Sequence, residues 1–314
     1  MEIPAKLRRT HPAEPVEFAS GDGLRLSGFR LAMPGPQVLL AHGFGQTRHS
    51  WAGTQDRLSR AGFGSLAWDM RGHGESQSNP ADHSYSVSDF VGDHVAAAAL
   101  VGNKPVLVGA SMGGLTGLLT QAAHRVFSSL VLVDVTPRWE AAGMQRIRDF
   151  MSAHPDGFES YDHAARVIHD YLPHRRARKS DEQLAKLLRV DDQRRLRWHW
   201  DPRLLSEFVA SSEHLQEAIA EQARKIDVPV LLISGGRSDL VSDDTVAHFL
   251  ELVPHATHVR LPEATHMLAG DDNDAFSDAV LAFLRAQFPT SEAPARVSAV
   301  GSSPIERPAP GVSR

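Results

Sequence analysis

Pro105-Val106-Leu107-Val108-Gly109-Ala110-Ser111-Met112-Gly113 is the stretch that decides the fold. It opens as a short apolar run, passes a serine with a glycine two residues away on each side, and leads into a segment of helical character. The reading is buried strand, tight turn, helix. A G-x-S-x-G string in that setting lifts a serine hydroxyl above the end of a sheet. The turn requires a strained backbone at the serine. It also requires tiny residues on either side, because strand and helix meet closely there. The following helix aims its N-terminus at the hydroxyl, where its dipole favours developing negative charge. Ser111 is therefore the candidate nucleophile.

Similar apolar, β-branched runs lie on both sides, at residues 37–41, 64–68, 130–134, 228–234 and 258–261. Near-continuous apolar runs suit parallel strands covered on both faces. Helical stripes alternate with them, Val87, Phe90, Val91, Val95 and Ala98 in one case and Phe276, Val280, Phe283 and Leu284 in another. Residues 16–20 and 24–31 flank Gly21-Asp22-Gly23 and read as an antiparallel hairpin. The expected fold is α/β, a mostly parallel eight-stranded sheet flanked by helices. Residues 138–225 carry helical segments rich in aromatic and basic residues and no convincing strand, so a helical cap is expected there. The core then comprises residues 1–137 and 226–288, and residues 289–314, rich in Pro, Ser, Ala and Gly, read as a disordered tail.

A serine hydroxyl is a weak nucleophile and needs a base. Among 17 histidines, His266 follows the last expected strand, in Pro262-Glu263-Ala264-Thr265-His266-Met267. A third group should orient the imidazole and stabilise its protonated form. Asp239, in Gly235-Gly236-Arg237-Ser238-Asp239, follows the strand at 228–234 and gives the chain order Ser111, Asp239, His266. Asp134 competes, because it ends the strand after the nucleophile; its expected role is to anchor the chain into the 138–225 segment. His42-Gly43-Phe44-Gly45 ends an earlier strand. The backbone N–H groups of Phe44 and Met112 are expected to hold an oxyanion.

His42-Gly43-Phe44-Gly45, then Asp69-Met70-Arg71-Gly72-His73-Gly74-Glu75-Ser76, the Ser111 turn, Asp239 and His266 together resemble the α/β-hydrolase family over about residues 15–288, weakly in 138–225. More narrowly they are similar to the capped branch of esterases, cofactor-free perhydrolases, C–C bond hydrolases and epoxide hydrolases. Epoxide hydrolases and haloalkane dehalogenases use an aspartate nucleophile, so Ser111 argues against both. Ala110 departs from the histidine many relatives carry. The resemblance implies a serine hydrolase, carboxylesterase-like, that cleaves a carboxylic ester of a small, largely apolar molecule through an acyl-enzyme on Ser111, with no cofactor and no metal. The same triad could instead serve C–C bond hydrolysis or peracid formation. A ligand-binding receptor on a hydrolase scaffold is the reading from a different class. The cap would set specificity, and His42, Trp139, Trp198, Trp200 and Met267 are the candidate substrate contacts. Residues 69–76 read as a structural loop beside the pocket.

The bulk composition excludes more than it selects. A net charge of -5 gives no reason to expect nucleic acid or an anionic membrane as partner. With no cysteine there is no disulfide, thiolate zinc site or cysteine nucleophile. Residues 174–203 hold ten Lys/Arg against five Asp/Glu, read as a solvated helix surface, or more sharply as attraction for an acidic substrate. Asp271-Asp272-Asn273-Asp274 lacks the glycine and distal glutamate of an EF-hand and suits a helix N-terminus. No apolar stretch follows Lys6, Arg8 and Arg9, so no signal peptide is expected, and no run is long enough to cross a bilayer. A cytoplasmic location is the corresponding expectation.

Overall fold

Side chains along a pleated strand point alternately to opposite faces, and here the central strands are apolar on both. In the computed structural model, which describes residues 12–172, 178–209, 215–266 and 274–289, this pattern builds one eight-stranded sheet. Its strands are β1 (Glu14–Ala19), β2 (Arg25–Leu31), β3 (Gln37–Ala41), β4 (Gly64–Trp68), β5 (Val106–Ala110) and β6 (Ser129–Val133). A separate hairpin of β7 (Leu188–Val190) and β8 (Leu196–Trp198) precedes the last two, β9 (Val230–Gly235) and β10 (Thr257–Leu261). The spatial order is β1-β2-β4-β3-β5-β6-β9-β10. The β1–β2 and β2–β4 pairs are antiparallel and all others in the sheet are parallel.

Residues alternate between two cores with a period of two. Leu39, Leu107, Leu130, Leu132 and Leu232 enter one, while Val38, Leu40, Val106, Val108, Val131 and Ile233 enter the other. The first is covered by α2 (Val87–Val101), α3 (Met112–His124), α7 (Gln216–Ala223) and α8 (Asp243–Leu252). The second is covered by α1 (Ala52–Arg60) and α9 (Asp274–Gln287). Among the described residues no helix is long and apolar enough to cross a membrane.

Helix α2 buries a face rotated from the expected stripe. Phe90, Asp93, His94, Ala97, Ala98 and Val101 are buried, whereas Val91 and Val95 are only half-buried. Two polar residues turn the helix inward because each finds a partner. The Asp93 carboxylate accepts two hydrogen bonds from the Arg71 guanidinium, at 2.7 and 2.6 Å, and His94 Nε2 lies 2.9 Å from Thr116 Oγ1 at the start of α3.

Between β6 and β9 the chain leaves the sheet. It forms α4 (Ala141–Ser152), α5 (Tyr161–Tyr171), the single turn α6 (Asp181–Leu184), the β7–β8 hairpin, a π-helical turn at Leu205–Val209, and α7. The hairpin corrects the expectation of an all-helical segment. Its three-residue strands alternate Leu188-Arg189-Val190 against Leu196-Arg197-Trp198, too short and too charged for a strand signal, and Phe158 bridges to Leu196 beside them. Phe158, Ala164, Ile168, Leu184, Leu188 and Leu196 give this segment a core of its own. Helix α7 instead places Ile219, Ala220 and Ala223 in the main core. Of the basic run, Arg195, Arg197 and Arg203 pair with Glu159, Asp191 and Asp201, of which Glu159 is solvated and the two aspartates are largely covered.

The Arg71–Asp93 pair is fully desolvated, with side-chain exposures of 1% and 0%. Removing one partner of such a pair leaves the other charge buried and alone, at a cost of about 3–5 kcal/mol. Arg71 also pairs with Asp22 at 3.0 Å, so the variant that strands a buried charge is Arg71→Ala, which leaves the Asp93 carboxylate in the core. It should lower the urea-unfolding free energy by roughly that amount, and a loss under 1 kcal/mol would contradict the arrangement.

Candidate active site

Ser111 sits between the last residue of β5 and the first of α3 with φ 46° and ψ −116°. A non-glycine residue held there carries about 1–3 kcal/mol of strain, so its surroundings must impose it. The Ser111 N–H donates to the Val133 carbonyl at 3.1 Å, and its own carbonyl accepts from Gly114 and Leu115 N–H at 2.9 and 3.0 Å. The flanking glycines permit contact through bare backbone. A Cβ on Gly109 would fall 2.6 Å from Gly114 Cα, and one on Gly113 would fall 2.6 Å from the Ala41 carbonyl oxygen at the end of β3. Met112 opens α3, and the first N–H groups of a helix have no intrahelical acceptor. Gly43 lies against Ser111, since a Cβ there would be 3.2 Å from Ser111 Cβ. The Phe44 peptide N–H follows directly.

The imidazole of His266 lies after β10, and its Nδ1 is 2.7 Å from Asp134 Oδ2. This contact fixes the tautomer: Nδ1–H donates to the carboxylate, leaving Nε2 free to accept a proton. Asp134 directly follows β6 in a left-handed conformation, φ 49°, and its carboxylate is fully buried. Two further donors hold it, the Gly235 N–H on Oδ1 at 2.7 Å and the Ser238 hydroxyl on Oδ2 at 2.6 Å.

The expected partnership of Asp239 with His266 is therefore corrected. Asp239 Oδ2 accepts instead from Arg146 Nη1 of α4 at 2.9 Å. The loop after β9 still serves the imidazole, but through Gly235 and Ser238, which orient Asp134. Ser238 was legible only as part of a turn. The loop also touches the His266 segment directly: a Cβ on Gly235 would lie 2.6 Å from the Ala264 carbonyl oxygen, and Arg237 N–H donates to that oxygen at 2.9 Å. Asp134 is thus both the residue after β6 and the imidazole's partner.

The candidate substrate contacts separate. Met70, Met112, Trp200 and Leu204 form a buried apolar cluster against which Phe44, Met151 and Trp198 pack. Phe44 and Trp200 rings are 4.9 Å apart. Trp139 is elsewhere, in the main core with α7 and Leu240, because its backbone N–H is tied to Gln216. Met267 lies outside the described residues, as do residues 271–273; Asp274 opens α9 and pairs with Arg57. Residues 69–76 are held by the buried Asp69 carboxylate, which accepts from Arg48 and Glu75 N–H at 2.7 and 3.0 Å and pairs with the Arg48 guanidinium.

Three histidines surround this region in full or nearly full burial, His42, His73 and His199. Loss of hydration pushes each imidazole down from its usual range to about 3, so all are neutral. His94, in the core, is lowered to about 3 by the same cause.

Comparison with known proteins agrees with this architecture. A family model described as alpha/beta hydrolase fold matches residues 36–272. The sn-1-specific diacylglycerol lipase ABHD11 of Mus musculus is 29% identical over 265 residues, 79% of this chain and 81% of that protein. Esterase Rv0045c of Mycobacterium tuberculosis is 27% identical over 253 residues, 75% of this chain and 76% of its own. The crystal structure of an alpha/beta hydrolase from Novosphingobium aromaticivorans superposes with a TM-score of 0.71 at 24% identity, covering 88% of this chain and 99% of that one.

The buried neutral imidazoles set a pH dependence of stability. Unfolded histidine titrates near 6.5, so on acidification the unfolded chain takes up protons that the folded chain refuses until about pH 3. Stability is complete above pH 6.5 and falls below it, by about 1 kcal/mol per imidazole between pH 6.5 and 5.5. Urea midpoints across that interval should fall, and His94→Gln should fall less steeply than the parent by about one imidazole's share. An identical slope in the variant would show that His94 is not held neutral.

Proposed function

The chain belongs to the α/β-hydrolase fold family, and on that premise we propose that it hydrolyses carboxylic esters through an acyl-enzyme on Ser111, with His266 as base and Asp134 as the orienting acid. The observation that carries this reading is the 2.7 Å contact of His266 Nδ1 with the buried Asp134 carboxylate, in a sheet whose strained elbow presents Ser111. Relatives named as a lipase and an esterase support the choice of ester as substrate class.

In the proposed cycle, His266 Nε2 takes the Ser111 hydroxyl proton as Oγ bonds to the ester carbonyl carbon. The carbonyl oxygen becomes an oxyanion, which the Phe44 and Met112 N–H groups hold. Asp134 keeps the imidazole in register and stabilises its protonated form. Collapse breaks the bond to the alcohol oxygen, which leaves with the proton from His266. A water deprotonated by the same Nε2 attacks the acyl-enzyme, and Ser111 regains its proton as the acid departs. Residues 138–225 act as a cap over this centre. The apolar cluster of Phe44, Met112, Met151, Trp198 and Trp200 supports a small, largely apolar acyl or alcohol group.

Labelling with a fluorophosphonate should modify Ser111 stoichiometrically, and Ser111→Ala should abolish it. Asp134→Asn should lower kcat on p-nitrophenyl esters by about 10³- to 10⁴-fold, whereas Asp239→Asn should stay within about threefold, as expected for a group that orients no reacting atom. The reverse ranking would return the acid to Asp239. Turnover of a β-diketone, or peracid formation from acid and peroxide, in preference to every ester of a graded panel would replace the ester reading.

A further inference from the structure

The peptide units of Gly43-Phe44-Gly45-Gln46 are held by imidazoles from three different parts of the chain. His42 Nδ1 lies 2.8 Å from the Gly43 carbonyl oxygen. The Gly45 N–H donates to His73 Nε2 at 3.3 Å. His199 Nε2 lies 3.4 Å from the Gly45 carbonyl oxygen. The opposite nitrogens of the same rings all grip residues 70–74. Met70 N–H donates to His42 Nε2 at 2.9 Å, His73 Nδ1 is 3.1 Å from the Arg71 carbonyl oxygen, and Gly74 N–H donates to His199 Nδ1 at 2.8 Å.

These partners settle every tautomer. His42 carries its proton on Nδ1, because Nε2 accepts. His73 also carries it on Nδ1, because its Nε2 accepts from Gly45. His199 carries it on Nε2 and donates to the Gly45 carbonyl. A protonated ring would lose an acceptor site in each case, and burial keeps all three neutral. The rings also touch one another edge to face or tilted, His42–His73 at 5.0 Å and His73–His199 at 5.9 Å between centroids. In a planar trans peptide the C=O and N–H point in opposite directions. The Gly43 carbonyl accepts from His42 and from Gln46 N–H at 3.1 Å. The Phe44 N–H is thereby turned away from both, on a segment pressed against Ser111.

We propose that His42, His73 and His199 form a three-imidazole brace that positions the Phe44 N–H for the oxyanion, with His199 making the inserted segment part of that brace. The proposal rests on the Phe44 assignment in the ester-hydrolysis reading above. The brace holds the donor in place before substrate arrives, so the cost of ordering the loop is met in folding and not during the reaction. His199 follows β8, so a residue of the segment expected only to cover the pocket also orders the catalytic loop beneath it. All six ring nitrogens are engaged with backbone groups of the two loops, which assigns His42 to the brace and not to the expected substrate contacts. The three histidines are positioning residues.

His199 is the informative position, since it leaves the sheet core intact. His199→Ala should lower kcat by about ten- to a hundredfold with KM within about twofold. The inhibition constant of a trifluoromethyl ketone, whose serine adduct carries an oxyanion, should rise by the factor that kcat/KM falls. His199→Gln keeps an N–H at the Nε2 position for the Gly45 carbonyl and should recover most of the rate. His199→Asn keeps only a group near Nδ1 for Gly74 and should not. Equal behaviour of Gln and Asn, an unmoved inhibition constant, or an unchanged kcat in the alanine variant would overturn the brace. Should His199→Ala not fold, by circular dichroism, His73→Gln against His73→Ala is read by the same criteria, with Gln supplying the acceptor for Gly45 N–H. Wild-type protein is the control on the premise. If it neither labels at Ser111 nor turns over esters, the hydrolase reading falls and the brace with it; if wild type turns over and His199→Ala matches it, the brace alone falls.

Discussion

Backbone meets backbone at the Ser111 turn, and the rest of the site is arranged around that contact. The strand carrying Gly109 touches the helix carrying Gly114, and Gly113 touches the end of β3. No side chain intervenes, so β3, β5 and α3 are held at backbone contact distance from one another. That closeness supports the unfavourable φ of Ser111. It also sets Gly43, two residues past the end of β3, against Ser111. A larger residue at Gly109 or Gly113 would separate strand from helix and displace Ser111 without altering its side chain.

The parallel sheet extends this arrangement sideways. Because β6 lies beside β5 and β9 beside β6, three strand ends open on the same edge. Asp134 leaves β6 next to Ser111, close enough that Val133 accepts the serine's own N–H. The following strand end, on β9, then contributes hydrogen-bond donors instead of a charge. Gly235 and Ser238 each donate to the Asp134 carboxylate, and His266 Nδ1 is its third partner. Asp239, one residue further on, faces outward to Arg146, and α4 lies so close that a Cβ on Gly143 would collide with the Asp239 carbonyl oxygen. Burial and the donor set decide which of the two carboxylates faces His266.

The inserted segment is joined to the sheet through both charge and neutral polar contacts. Arg146 and Glu140 tie α4 to the loop after β9, and His199 ties the turn after β8 to the loop after β3. Desolvation keeps the histidines uncharged, so they act as rigid two-ended connectors with one donor and one acceptor each. Six neutral hydrogen bonds join the two loops without placing a buried imidazolium between them.

Much of this was legible in the chain. The strand runs, the hairpin at Gly21-Asp22-Gly23, the Ser111 turn and the address of His266 all rest on local chemistry: apolar periodicity, small residues where backbones meet, and a polar loop after the last strand. Those are properties of neighbours in sequence. The choice of Asp134 over Asp239, the rotated face of α2, the short charged hairpin at β7–β8 and the core position of Trp139 were not legible. Each depends on a partner far along the chain, namely Ser238 for Asp134, Arg71 for Asp93, Phe158 for Leu196, and Gln216 for Trp139. Local sequence was enough to place Ser111 in its turn and His266 after the last strand. The tertiary structure alone decided which carboxylate faces that imidazole, because hydrogen bonds between distant loops, not spacing, determine where a buried charge is satisfied.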